Sequence, residues 1–166
     1  VTGPVSFTPP QGAQVEPVRT TEDLLQRMLA LAPEQDIVIQ AAAPADYRAQ
    51  QIAPQKLKKQ GDGALTLTFV PTPDVAKAVG EGKHAGQILV GFAAETETAV
   101  ENARKKLDSK HLDMIVANDV TQPGAGFDVD TNIATIITHQ QAESLPIMTK
   151  KALADEILTR ALALRG

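Results

Sequence analysis

Residues 36–43 read DIVIQAAA, and Ile37, Val38 and Ile39 make an apolar run too brief for a helix and rich in branched residues. A run of that kind suits a strand buried on both faces of a sheet. Two further stretches read the same way, QILVGF at residues 87–92 and LDMIVA at residues 112–117. Helical patterns fall before and between them. Thr20, followed three residues on by Asp23, marks a helix start, with Leu24, Leu25, Met28 and Leu29 as an apolar stripe to about Leu31. Pro73 suits the first turn of a second helix with Thr72 as its cap. Ala99, Val100, Ala103 and Leu107 share one face of a third helix that ends near Lys110. Alternating strands and helices, with strands of the buried type, predict a mainly parallel sheet with right-handed crossovers: a Rossmann-like, three-layer α/β fold.

The remaining segments depart from that alternation. ALTLTFV at residues 64–70 sets Leu65, Leu67 and Phe69 against threonines, which predicts a strand with one face exposed or covered by another subunit. Residues 132–138 and 145–148 predict a hairpin at the sheet edge. A last helix is expected after Thr149, with Leu153, Ile157, Leu158, Ala161 and Leu162 packing inward. VTGPV at residues 1–5 reads like the end of a strand, so a segment upstream of Val1 is expected.

Length and composition bound the function. The 166 residues, 43% hydrophobic and 22% charged, suit one soluble domain. Phe7, Phe69, Phe92, Phe127 and Tyr47 are the only aromatic residues, which leaves the core to Leu, Ile, Val and Ala. The chain has no cysteine, which excludes disulfides, thiol nucleophiles and thiolate metal sites and suits a reducing cytoplasm. No apolar run is long enough to span a membrane. A net charge of −4 disfavours general nucleic-acid binding, so any anion site must be local.

In open parallel sheets, ligands bind beyond the carboxyl ends of the strands. Three loops qualify: residues 41–48 with Ala41, Ala42, Ala43 and Asp46, residues 91–96 with Phe92, and residues 117–120 with Asn118. Small residues let a ligand approach the backbone closely, although they also suit tight strand-to-helix turns. The irregular stretch from Tyr47 to Gly63 carries the cluster Lys56, Lys58 and Lys59, which could neutralise a triphosphate or be a solvated charged loop. Pro73 and Asp74 open a helix whose N–H groups could meet an anion, and Lys106 and Lys110 stand one helical turn apart. No glycine-rich Walker loop or GxGxxG fingerprint is present. His84, His111 and His139 lack ligand spacing, so no built-in metal site is expected.

The motifs AAAPADYR, IAPQKLKK, PTPDVA, GFAAET, ENARKKLDSK and ANDV, followed by QPGAGFDVDTN, resemble the phosphopantothenoylcysteine synthetase family in order and spacing. The likeness runs the length of the chain. It implies CTP-dependent ligation of 4′-phosphopantothenate to L-cysteine through an acyl-cytidylate, with Mg2+ accompanying the nucleotide. It implies that CTP meets Ala41, Ala42, Ala43, Asp46, Pro73, Asp74, Val75, Ala76, Phe92, Lys106 and Lys110. Lys56 would stabilise charge at the reacting phosphate, and Asn118 would take a supporting part. The resemblance further implies a homodimer in which the extended loop of one subunit completes the other's site. A flavin-dependent decarboxylase, with FMN, would occupy the other half of a bifunctional polypeptide. Family members begin with a strand and a glycine- and serine-rich loop that these 166 residues lack, so one incomplete ligase domain with weak or absent turnover is expected. A Rossmann-type oxidoreductase and a non-catalytic nucleotide-binding module remain as alternatives.

Overall fold

Apolar side chains that alternate between the two faces of successive strands require helices on both sides, and that requirement sets the architecture. The computed structural model describes residues 1–5, 8–59, 63–95, 99–119 and 129–166. In chain order the strands are β1 (Ile37–Gln40), β2 (Tyr47–Ala49), β3 (Phe69–Pro71), β4 (Ile88–Glu95), β5 (Met114–Asp119), β6 (Thr131–Asn132), β7 (Ala134–Thr138), β8 (Ala142–Ser144) and β9 (Met148–Thr149). The α-helices are α1 (Thr21–Leu31), α2 (Val75–Glu81), α3 (Ala99–Ser109) and α4 (Lys150–Arg165).

The main sheet runs β1-β4-β5-β7-β8. β1, β4 and β5 are parallel, with Val38 beside Leu89 and Val90 beside Met114. β7 and β8 then pair antiparallel, so the sheet is mixed, as a Rossmann-like core with an added edge hairpin should be. Leu89 and Ile115 pack with Leu24, Val75, Val79, Ala103 and Leu107 on the face covered by α1, α2 and α3. Ile88, Val90, Met114 and Val116 pack with Leu153, Ile157 and Ala161 of α4 on the other. Each large side chain so buried contributes about 1.5–3 kcal/mol, which is why the buried runs dictate the strands.

Local chemistry sets the helix ends. Thr20 and Asp23 form the expected capping box, Thr20 Oγ1 accepting from the Asp23 N–H at 3.0 Å and Asp23 Oδ2 from the Thr20 N–H at 2.9 Å. The second helix departs from expectation. Its cap is Asp74, whose Oδ1 accepts from the Lys77 N–H at 3.1 Å, so Pro73 lies before the cap and Thr72 does not cap. The Thr72 hydroxyl donates instead to the Ala45 carbonyl, and its N–H donates to Asp46 O at 2.9 Å.

Three further expectations are corrected. Of residues 64–70 only Phe69 and Val70 enter a strand, in the short β2–β3 ribbon where Tyr47 faces Pro71 and Ala49 faces Phe69. The hairpin exists, but its second arm is Ala142–Ser144, while Met148–Thr149 pairs with Thr131–Asn132 in a separate two-stranded piece. In α4, Leu153, Ile157 and Ala161 are buried at a spacing of four, whereas Leu158 and Leu162 are exposed. No helix among the described residues is long and apolar enough to cross a membrane.

Candidate functional site

β1, β4 and β5 end together on one rim, where a cleft of about 440 Å³ opens. That volume lies in the range of about 300–1,000 Å³ usual for small-molecule sites. After Gln40 the chain leaves the sheet as Ala41, Ala42, Ala43 and Pro44, a run of small side chains that keeps main chain at the surface of the cleft. Asp46 follows, strapped to residue 72 by the backbone bond just described, and from this point the β2–β3 ribbon projects. Pro73, Asp74, Val75 and Ala76 form a second wall, and Gly91, Phe92 and Ala93 of β4 a third. Lys106 of α3 and Lys110 just past its end enter the cleft, with Asn118 at the end of β5.

Charged groups of the cleft engage one another. Lys110 Nζ lies 3.0 Å from Asp74 Oδ2, while the other carboxylate oxygen caps α2. Burial pushes the Asp74 carboxyl up, but the Lys77 N–H bond and then the Lys110 ammonium outweigh it and hold the group below its ordinary 3.8. Because Asp74 takes the Lys77 N–H, that helix-end donor is not offered directly to a ligand.

Two amides frame the cleft. Asn118 Oδ1 accepts from Asn132 Nδ2 at 3.0 Å. Gln40 Oε1 is buried in the cleft wall without a hydrogen-bond partner among the described residues. A buried acceptor left unpaired carries a desolvation cost of about 1–3 kcal/mol, a cost that a donor brought by a ligand would relieve. Sequence reasoning passed over Gln40, although a polar residue closing an apolar strand run was the available signal. It also passed over Thr72 as a strap and Asn132, whose contacts are long-range.

Of the residues assigned to the site from the sequence, all line this cleft except Lys56. Lys56 lies in the irregular, exposed stretch 51–59 and is not brought to the cleft of its own chain. Thr96, Val120 and residues 122–128 of the QPGAGFDVDTN motif lie outside the described residues, as do Phe7 and Phe127. Among the described residues no group of three or more His, Asp or Glu side chains could hold a metal ion. Asp46 and Asp74 are carboxylates of the cleft lining, and both oxygens of Asp74 are already engaged, by the Lys77 N–H and the Lys110 ammonium.

The fold and its rim cleft define the class first: a Rossmann-like α/β domain with a cleft past the carboxyl ends of its parallel strands, where ligands bind in open sheets of this kind. Residues 1–164 match the family model described as the DNA/pantothenate metabolism flavoprotein C-terminal domain, and the chain belongs to that family. It is 46% identical over 166 residues to the coenzyme A biosynthesis bifunctional protein CoaBC of Bacillus subtilis (strain 168), covering 99% of this chain and 40% of the relative. The Escherichia coli (strain K12) protein of the same name is 42% identical over 168 residues, covering 96% and 41%. Among solved structures, the C-terminal domain of a coenzyme A biosynthesis bifunctional protein CoaBC superposes with a TM-score of 0.77 at 36% identity, covering 98% of this chain and 73% of that one. The chain thus spans about two fifths of the length of the curated relatives it matches.

Proposed function

We propose that this chain carries the synthetase chemistry of coenzyme A biosynthesis: ligation of 4′-phosphopantothenate to L-cysteine at the expense of CTP. What supports this most is the convergence of Ala41, Ala42, Ala43, Asp46, Asp74, Phe92, Lys106 and Lys110, which come from separate motifs, on one rim cleft.

In this reading the main chain of Ala41, Ala42 and Ala43 and the ring of Phe92 hold the nucleoside, while Lys106 and Lys110 face its phosphates. The pantothenate carboxylate attacks the α-phosphorus. A P–O bond forms, the bond to the β-phosphate oxygen breaks, and pyrophosphate leaves with that electron pair. The amine of cysteine then attacks the acyl carbon, the C–N bond forms, CMP departs with the acyl oxygen's electrons, and the amine loses a proton. Mg2+ is bound through one or two carboxylates together with substrate phosphates, so Asp46 would help to hold it beside the nucleotide, where it would neutralise phosphate charge. Holding two anionic reactants in one cleft converts a bimolecular encounter into a positioned one.

Lys56 enters this scheme from a second copy of the chain. The ribbon and its loop expose Tyr47, Ile52, Leu57, Leu65, Leu67 and Phe69, with Ile52 90% exposed and Leu65 69% exposed. An apolar patch of this kind marks an interface, and its occupant in this reading is the partner subunit's equivalent ribbon. FMN and the decarboxylase activity would belong to a separate part of a bifunctional polypeptide, and the absence of cysteine suits a cytoplasmic setting.

The test is a chimera in which this chain replaces the matching residues of the Bacillus subtilis relative. Pyrophosphate should be released from CTP only when phosphopantothenate is present, with product appearing once cysteine is added. A folded chimera that releases none, or releases it equally from ATP, would overturn the proposal.

A further inference from the structure

The polarity of the Asn118 side chain is set from outside the cleft. Asn132, in β6, is 8% exposed and is not among the residues lining the cleft. Its Oδ1 accepts from the backbone N–H of Ile133 at 2.9 Å. A backbone N–H can only donate, so this contact fixes which end of the Asn132 amide is oxygen. The nitrogen end then donates to Asn118 Oδ1 at 3.0 Å. Asn118 thereby commits its oxygen to the protein, and the end it can turn toward a ligand is the Nδ2 donor.

The ladder holds this arrangement in place. Asn118 lies opposite Ala134, two residues past Asn132, and Asn132 is itself paired with Met148. We infer that Asn132 is a positioning residue that keeps a hydrogen-bond donor, never an acceptor, at the end of β5 for an oxygen of the bound nucleotide. The inference rests on the proposed function, which places a nucleotide in this cleft. An acceptor at the same point would set lone pair against lone pair beside an anionic ligand.

The test is an isosteric reversal. In Asn132→Asp one carboxylate oxygen still accepts from the Ile133 N–H, while the other now faces Asn118. Asn118 must rotate to donate to it and so turns Oδ1 to the cleft. Asn118→Asp keeps the bond from Asn132 and likewise sets an oxygen toward the ligand, and it changes a less buried position should Asn132→Asp impair folding. Titration of Mg2+–CTP into the chain should show a dissociation constant raised about tenfold or more in both variants. Asn132→Ala, which frees Asn118 to rotate either way, should lose less than Asn132→Asp. In the parent, the Asn118 side-chain amide resonance should shift on adding Mg2+–CTP, a response that a purely structural Asn132 would not require. Folded Asn132→Asp or Asn118→Asp protein that binds Mg2+–CTP like the parent would overturn the inference. A parent chain that binds no nucleotide would overturn the functional reading itself, and this inference with it.

Discussion

Lys110 Nζ lies 3.0 Å from Asp74 Oδ2, which joins the end of α3 to the cap of α2 across the mouth of the cleft. One carboxylate therefore starts a helix and holds an ammonium at the cleft. Its pKa is depressed, so the folded chain takes up the proton less readily than the unfolded chain. The contribution is complete above the ordinary 3.8 and disappears as pH falls through the lower folded value. Asp74→Asn keeps the cap, because Asn and Asp cap equally well, but it loses the charge pair. Denaturation midpoints should place it below the parent by less than about 1 kcal/mol near neutrality, because the pair is partly exposed. That gap should close as pH is lowered past about 4. A gap of constant size would contradict this assignment.

Gly80 fixes where Lys110 stands. A Cβ on Gly80 would lie 1.9 Å from the Lys110 carbonyl oxygen, and its other near neighbours are the Lys110 carbonyl carbon and His111 Cβ. Backbone cannot yield as a side chain can, so Gly80→Ala must push α2 and the end of α3 apart. Overpacking of this kind costs about 1–3 kcal/mol. Thermal melts should show that loss, and nucleotide affinity should fall with it, because Lys110 moves with its carbonyl.

Gln87 separates stability from function. It is 3% exposed, and its Nε2 donates to Ala32 O and Gln35 O, each at 2.6 Å, closing the end of the 3-10 turn Ala32–Glu34 that follows α1. Gln87→Leu leaves those carbonyls without this donor and should cost about 1–3 kcal/mol in urea denaturation. Nucleotide affinity should be unchanged, since Gln87 lies at the opposite end of β4 from the cleft. A matching loss of affinity would contradict the separation.

Lys56 tests the assembly. Within the chimera, Lys56→Gln should lower turnover by about a hundredfold or more, the loss seen when a positioned charge-stabilising donor is removed. Folding should be untouched, since Lys56 is exposed. Mixing this variant with a Lys110→Ala variant should restore activity that neither has alone, because a mixed dimer then holds one intact site. No recovery on mixing would contradict a lysine supplied in trans.

The parallel strands were legible because runs such as Ile37, Val38 and Ile39 admit little else, and α1 because Thr20 and Asp23 signal each other over three residues. The cap of α2 was not. Thr72 and Asp74 are both capping residues two positions apart, and the choice falls to Asp74 because Lys110, distant in sequence, holds its second oxygen. Residues 64–70 alternate like a strand, yet their partner β2 is only three residues long, so the ladder ends at Phe69 with one further bond from the Gln50 N–H to Thr68 O at 2.9 Å. In α4, Leu153 and Leu158 offer two neighbouring apolar stripes, and only the sheet's position selects the first. The cleft residues were legible as loops on one rim. The bond between Asn132 and Asn118 was hidden because nothing local in the sequence couples those positions.

Calorimetric titration of the chain with CTP, ATP and NADH, each with Mg2+, tests most directly whether this rim cleft selects a cytosine nucleotide. CTP should bind saturably and well ahead of the other two. Equal binding of all three, or binding of none, would contradict that selectivity.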